Sequence, residues 1–469
     1  MGRRRKPKMV KDVTVVDVAD KGKAVAKDAE GKVYFVDGAV PGDVVDILVL
    51  KKRKSHFQGV IKAYKSYSEH RVDAPCKHFG VCGGCKWQHF DYKAQLHYKH
   101  NTVVNAMTRI GNVPADVIQP IKGSEKIFHY RNKVEYSFSN KRWLTEEEVK
   151  TGEDIQQSPA FGFHRPGAWD KIVEINECLL QDPYTDEIRN GLREYTMANN
   201  ISYYDPRAHV GMMRNLIVRC TTGDDWMLIV SFGEDDMEVI NGVMEYLKEN
   251  FSKVTSLNYV INKKLNDTIL DQDIICYSGV PYVIEKLGDV KYKIGQKSFF
   301  QTNSTQAKVL FDTVAEYAGL TGEENVYDLY TGLGSIALYV SQSVKHVVGI
   351  EEVPAAIEDA KINAALNDIK NTTFYAGDVK DVLTPQFAHK HGKPDVIITD
   401  PPRAGMHKDV VNMLLQLAAP RIVYVSCNPA TQARDLDLLS VKYQAVSMTP
   451  VDMFPHTHHI ENVVLLELI

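Results

Sequence analysis

Three short stretches near the C-terminus, DPPR at residues 400–403, SCNP at 426–429 and HIENV around Glu461, bring together a thiol and two carboxylates. A thiol paired with a base suits methylation of a pyrimidine at carbon 5. Uracil C5 is too poor a nucleophile to take a methyl group from a sulfonium donor, but a thiolate adding at C6 turns C5 into an enolate carbon that can. Covalent catalysis splits one hard step into easier ones. C5 then still carries its hydrogen, so a base must remove it before the sulfur leaves by β-elimination. Cys427 fits the nucleophile and Glu461 the base.

Taken singly, each residue has a plainer explanation. A lone Cys in an α/β protein is more often a small inert hydrophobe. Cys427, however, follows the apolar strand predicted over 422–425, which Asn428-Pro429 stops at once. That puts the thiol at a strand's carboxyl edge, where open α/β sheets bind ligands. Glu461 interrupts an apolar run, and an unpaired carboxylate facing a core is costly, so it is either exposed or part of a site. Asp400 follows the apolar stretch 396–399 and precedes Pro401-Pro402, which lack amide hydrogens and enforce an extended turn.

Upstream, residues 326–330 read as a strand, Thr331 to Ser335 (TGLGS) as a tight turn and 336–340 as a helix start, which sets backbone amides beside a ligand. Glu351 ends the next strand, roughly 20 residues after the first glycine, where an acid holds ribose hydroxyls. Asp378, in AGDV after the strand-like 372–375, is placed to accept from an adenine amino group; alone it is a turn Asp. With only two glycines, the turn by itself leaves a nicotinamide cofactor open.

The ordered set FFQTN (299–303), DLYTGLGS (328–335), GIEE (349–352), DPPR, SCNP and HIENV resembles the RNA 5-methyluridine (uracil-5) methyltransferases, over nearly the whole chain. The resemblance implies S-adenosyl-L-methionine as methyl donor, Cys427 as nucleophile and Glu461 as general base. It also implies that Gln301, Tyr330, Glu351, Asp378 and Asp400 line the cofactor site. Asn303 and Gln306 also read as a helix-capping pair, so part of FFQTN has a structural reading.

The elements that must hold these residues fall into three expected domains of a multidomain α/β protein. Residues 1–66 carry short strands at 13–16, 33–36, 44–50 and 57–61 between turn signals at Gly22, Gly31 and Pro41-Gly42, which fits an OB-like β-barrel. The resembled family has a TRAM domain there, associated with RNA. Basic clusters at residues 3–8 and 51–54 suit phosphate contact as readily as solvation. Residues 67–298 read as a central α+β domain, with strands at 133–138, 216–220 and 227–232 and a helix at 236–250. A helical segment near 91–118, with Tyr92, Leu96, Val103, Met107 and Ile110 on one face before Gly111, is placed to pack on the catalytic domain. Residues 299–469 alternate β and α patterns, the mark of a Rossmann-like parallel sheet with helices on both faces.

Seven Cys in a chain of this character argue against a disulfide framework. Cys76 stands shortly before the loop GVCGGC, which holds Cys82 and Cys85 and whose glycines let the backbone wrap a metal centre. Spacing leaves zinc and an iron-sulfur cluster both open. The resemblance supplies Cys178 as fourth ligand and points to a [4Fe-4S] cluster. Cys220 and Cys276 read as inert strand residues.

A 44% hydrophobic and 25% charged composition is ordinary for a globular protein, and no apolar run approaches the ~20 residues of a membrane span. The N-terminus is basic without an apolar stretch behind it, which is unlike a secretory signal and implies a cytoplasmic location. The net charge of -4 argues against a uniformly basic coat. Arg131, Lys133, His164 and Arg165 are candidate phosphate contacts in the central domain. The expected partner is RNA with an accessible uridine, because unstacking a base costs a few kcal/mol; no membrane and no obligate protein partner is implied. The barrel and four-Cys centre favour the ribosomal branch, 23S rRNA, over transfer RNA. Two other readings stand beside it. One is an amino-group methyltransferase, which carries an aromatic where Arg403 stands. The other is a non-catalytic iron-sulfur RNA-binding protein, against which the intact Cys427 and Glu461 speak. His456, His458 and His459 are assigned to the loop before the last strand.

Overall fold

The computed structural model describes residues 8–151 and 158–469. The basic run at 3–7 lies outside the described residues, and Lys8 opens the first strand, Lys8–Val18. Five strands, Lys8–Val18, Ala24–Lys27, Val33–Val36, Val44–Lys52 and Phe57–Ser66, close into a barrel. Val13, Val15, Tyr34, Val36, Val45 and Ile47 fill it from alternate positions, the period of two that one buried face demands. Ala24–Lys27, whose AVAK lacks the β-branched and aromatic run of Val33–Val36, completes the ring. Lys51 to Lys54 straddle the hairpin between the last two strands and are exposed.

The central region is a seven-stranded mixed sheet in which Lys133–Ser139, Met213–Cys220 and Trp226–Phe232 are neighbours. Met237–Asn250, capped by the Asp236 side chain, packs against it. A hairpin of Tyr282–Leu287 and Val290–Gly295 buries Val283, Tyr292 and Ile294 in the same core as the C-terminal sheet.

That C-terminal sheet has seven strands, in spatial order Thr372–Ala376, His346–Glu351, Asn325–Leu329, Val396–Thr399, Arg421–Ser426, Glu461–Leu468 and Tyr443–Val451. The first five are parallel, and the four inside the edge strand Thr372–Ala376 are buried on both faces, hence rich in Val, Ile and Tyr. Glu461–Leu468 inserts antiparallel between Arg421–Ser426 and Tyr443–Val451. The helix Tyr92–Arg109 lies on this sheet through Val103 and Met107. Its other buried positions are Ala94, Gln95 and Lys99 rather than Tyr92 and Leu96, because polar partners in the loop before Glu461 claim that face. Among the described residues no helix is long and apolar enough to cross a membrane.

Candidate active site

Successive strands each deliver one candidate residue to the same edge of the C-terminal sheet. In spatial order Asp378 follows Thr372–Ala376, Glu351 ends its strand, Tyr330 follows Asn325–Leu329, Asp400 follows Val396–Thr399 and Cys427 follows Arg421–Ser426. At ~4.8 Å between strands this row spans roughly 19 Å. The chain order reverses between Asn325–Leu329 and Val396–Thr399, and such a switch point is where open α/β sheets hold their ligands.

Glu461 reaches the thiol from the antiparallel side. Ser426 pairs with Asn462, so the next register position sets Cys427 across from Glu461, where facing Cα atoms stand ~4.5–5.5 Å apart. The thiol loop is tied to the DPPR loop: the Asn428 amide donates to the Arg403 carbonyl at 3.1 Å, and the Thr431 hydroxyl donates to it at 3.2 Å. Asn428 also caps the helix Pro429–Leu439, so the chain leaves the strand sharply and the half-buried thiol stands at the cavity.

Electrostatics bind these groups into one unit. Burial pushes the Cys427 thiol up to about 11; the charges of Glu461 and Asp400 add to this and Arg403 opposes it. Glu461 is held well above the usual carboxylate range by burial and then by Asp400, again opposed by Arg403. Asp400 rises to about 7 through burial and the charge of Asp328. Asp328, a strand residue quoted in its motif but given no role, is itself raised to about 7 by burial. It accepts from the Thr331 hydroxyl at 2.5 Å and from the Ala337 amide at 3.0 Å, which fixes the TGLGS turn.

On the far side of Asp400, Tyr330 takes a left-handed backbone (φ 65°), followed by Gly332 (φ 57°) and Gly334 (φ 83°). Glu351 clamps this turn, accepting from the Gly332 amide at 3.1 Å and the Val353 amide at 3.0 Å. Burial pushes the Tyr330 phenol up to about 12, with further contributions from Asp378, Asp435 and Glu351, so three of the candidates share one crevice. Asp378 caps the short helix Val379–Val382 and pairs with Lys380, so its turn role is real. Asn303 caps Ser304–Ala318, but the Gln306 amide donates to the Gly123 carbonyl at 3.1 Å rather than returning to the cap.

A cavity of about 740 Å³ opens over the reacting groups, lined by Gln301, Asp400, Arg403, Cys427, Glu461 and His459. Arg403, next to both reacting residues in charge, was read in the sequence only as the absence of an aromatic. Burial lowers His459 to about 4, so it faces the cavity as a neutral imidazole. Arg131 also lines the cavity, its Nε donating to the Lys133 carbonyl. Arg165 is spent on the carbonyls of Gly80 and Val81.

Cys76, Cys82, Cys85 and Cys178 line the far wall of the same cavity. Burial raises Cys85 to about 12 and Cys178 to about 11. The Gln88 amide donates to Cys85 Sγ at 3.2 Å and the Gly84 amide to Cys82 Sγ at 3.4 Å. The donor chemistry therefore fits a thiolate-bound group. Among the described residues, however, no set of three or more His, Cys, Asp or Glu is arranged to hold a metal ion, so a metal centre is not shown.

A doubly wound sheet with an inserted antiparallel strand, a Gly-turn crevice and a thiol–carboxylate cavity defines a Rossmann-like methyltransferase. The family described as tRNA (Uracil-5-)-methyltransferase matches residues 243–469, and the TRAM domain matches residues 4–58. A relative from Bacteroides thetaiotaomicron named as an uncharacterized RNA methyltransferase is 50% identical, covering 96% of this chain and 100% of the relative. One from Porphyromonas gingivalis with the same description is also 50% identical, over 96% and 98%. The crystal structure of the Pyrococcus abyssi tRNA (uracil-54, C5)-methyltransferase in complex with S-adenosyl-L-homocysteine superposes with a TM-score of 0.75 at 28% identity, covering 97% of this chain and 100% of that one. The chain belongs to the S-adenosylmethionine-dependent RNA uracil-5 methyltransferase family, and it is an enzyme with an N-terminal TRAM barrel.

Proposed function

We propose that this enzyme methylates uridine at C5 in RNA through a covalent adduct of Cys427, with Glu461 as the base. The observation that carries this is the register that sets Cys427 opposite Glu461 at the mouth of one cavity. Cys427, its thiol proton given up to solvent, bonds through Sγ to C6, and the C5–C6 π pair moves toward C5 and O4. S-adenosylmethionine supplies the methyl group that C5 takes. Glu461 then removes the C5 proton, the C–H pair re-forms the double bond, and Sγ leaves. A carboxylate whose proton affinity is raised by burial is a stronger base than an exposed one, which suits general-base catalysis near neutral pH. Gln301, Tyr330, Glu351, Asp378 and Asp400 form the cofactor site in this reading; Asp378 must release Lys380 to accept from an adenine amino group.

The target we propose is 23S ribosomal RNA, from the resemblance to that branch, in a cytoplasmic enzyme. Transfer RNA is the second reading. A tRNA enzyme superposes over 97% of this chain, a span that takes in the barrel, so the barrel alone does not separate the two. We further propose that Cys76, Cys82, Cys85 and Cys178 hold a [4Fe-4S] cluster, supported by their shared cavity wall and the N–H donors to sulfur. Methyl transfer has no redox step, so its role there is to shape the RNA-facing surface. Iron and sulfide in an anaerobic preparation are expected, and zinc alone overturns the cluster. Mass-spectrometric mapping of 5-methyluridine in ribosomal and transfer RNA, with and without this protein, tests the target. A 5-fluorouridine transcript, unable to lose its halogen, should trap the enzyme covalently when donor is present; failure to trap removes Cys427 from the mechanism.

A further inference from the structure

A second cavity, of about 420 Å³, opens on the central sheet and takes no part in the chemistry above. Its size falls within the ~300–1,000 Å³ of small-ligand sites. Its wall is aromatic and basic, with Trp169, Tyr204, His164, Arg207 and His209. Trp169 stands in the strand Ala168–Glu174 with 62% of its surface exposed, an indole face left open where a lone surface Trp would ordinarily be covered. The Arg214 guanidinium lies 4.1 Å from the Tyr204 ring centre and is anchored by Asp267 at 2.8 Å and the Asn262 carbonyl at 2.7 Å. Arg207 pairs with Asp170.

Two buried polar atoms of this wall have no partner. Arg214 Nε and Asn215 Oδ1 belong to side chains 2% and 3% exposed, and neither atom has a hydrogen-bond partner among the described residues. The Asn215 amide nitrogen donates to Ser137 Oγ at 3.2 Å, and turning the amide over would leave its nitrogen free instead, so one group stays unmatched either way. Buried groups of this kind are costly unless something satisfies them. The open indole face of Trp169, with Tyr204 and the basic groups of the same wall around it, matches the face of a nucleobase.

The site also lies in line with the catalytic cavity. One strand, Lys133–Ser139, gives Val134 and Glu135 to the catalytic cavity and Ser137, Phe138 and Ser139 to this one. The neighbouring strand gives Phe163 to the catalytic cavity and, from its opposite face, His164 to this one. At ~3.3 Å per residue, Glu135 to Ser137 and Ser139 covers roughly 7–13 Å. That is about two to four nucleotides at the ~3.4 Å per nucleotide of a stacked strand, and fewer where the strand is extended.

We infer that this cavity is a second nucleobase site, which takes an unstacked base of the same RNA strand a few nucleotides from the target uridine and stacks it on Trp169. The inference rests on the RNA uridine reading above and deepens it: the enzyme selects a strand from which two nearby bases can be turned out. Binding of a short fluorescein-labelled oligouridylate, read by anisotropy, tests the site without methyl transfer. Trp169→Ala should weaken binding about 5- to 150-fold, the span of one base–aromatic stack, and Trp169→Phe should keep it near wild type. On a transcript that the wild type methylates, Trp169→Ala should raise KM while kcat at saturating RNA holds. With 5-iodouridine placed at successive positions around the target, irradiation should crosslink the peptide containing Trp169 only from positions a few nucleotides away. Unchanged binding and KM in Trp169→Ala, or no crosslink to that peptide from any position, overturns the inference. Absence of C5 methylation by the wild type overturns the uridine reading instead, and the oligouridylate result still decides the pocket.

Discussion

Replacing Asp400 by Asn should stabilise the protein while destroying its activity, and the gain should depend on pH. Asp400 sits among Asp328, Cys427 and Glu461, and burial with the Asp328 charge raises it from 3.8 to about 7. A raised carboxyl is protonated more readily folded than unfolded. Below pH ~4 both states hold the proton and nothing is lost. As pH climbs from ~4 to ~7 the unfolded state ionises first, so stability falls, and above ~7 the whole penalty is present. At ~1.36 kcal/mol per pKa unit that penalty is about 4 kcal/mol, an upper bound because Asp328 shares the same repulsion. An Asn at 400 never ionises and escapes it. With ~2–4 °C per kcal/mol for a unit of this size, the variant should melt up to roughly 8–16 °C higher at pH 8 and within a degree or two of wild type at pH 4. Differential scanning fluorimetry without cofactor across pH 4–8.5 measures this. A variant no more stable than wild type at pH 8, or a gain that does not vary with pH, refutes the electrostatic account of the site.

Cys427→Ala should abolish turnover and covalent trapping while cofactor binding by calorimetry stays intact; residual turnover would mean another nucleophile. Glu461→Gln should slow release by about 10²–10⁴-fold and accumulate RNA-linked protein on a denaturing gel, since the adduct forms but cannot resolve. Lys99→Met should cost about 3–5 kcal/mol in urea unfolding, because it strands Asp452, with which Lys99 makes a 2.6 Å pair at 1% and 0% exposure. The double variant with Asp452→Leu should recover much of that loss, and a double variant as unstable as the single one would show that the pair's charge is not what matters.

The strand ends that carry Asp400 and Cys427 were legible because their signals are local. An apolar run of four to six residues followed by Asp-Pro-Pro or Cys-Asn-Pro announces a strand end and its cargo, and Asp400 and Cys427 stand at such ends. What was not legible depends on contacts far apart in sequence. Lys99 and Asp452 are 353 positions apart, and nothing in a helix reading Tyr92, Leu96, Val103 says that its buried face turns on a lysine. Asp328 hid inside an apolar strand because its reason for being there is the turn after it, and Arg403 because its role is a charge felt across two loops. The barrel strand Ala24–Lys27, with two Ala and a Lys in four residues, lacks the β-branched and aromatic side chains that mark Val33–Val36.

The same edge that makes the site also sets its ligand preference. Asp328, Glu351, Asp400 and Glu461 stand along it, and burial first, then the charge of a neighbouring carboxylate, raises the proton affinity of Asp328, Asp400 and Glu461. A cation within ~4–6 Å of a carboxylate favours its ionised form and lowers its pKa by about 1–3, so a positively charged ligand relieves strain that a neutral one leaves in place. S-adenosylmethionine carries that charge on sulfur and loses it with the methyl group. In the proposed cofactor site this charge favours the donor over the spent product. The donor's charge also favours ionised Asp400, while Glu461, paired in charge with Arg403 as well, must reach the carboxylate form to take the C5 proton.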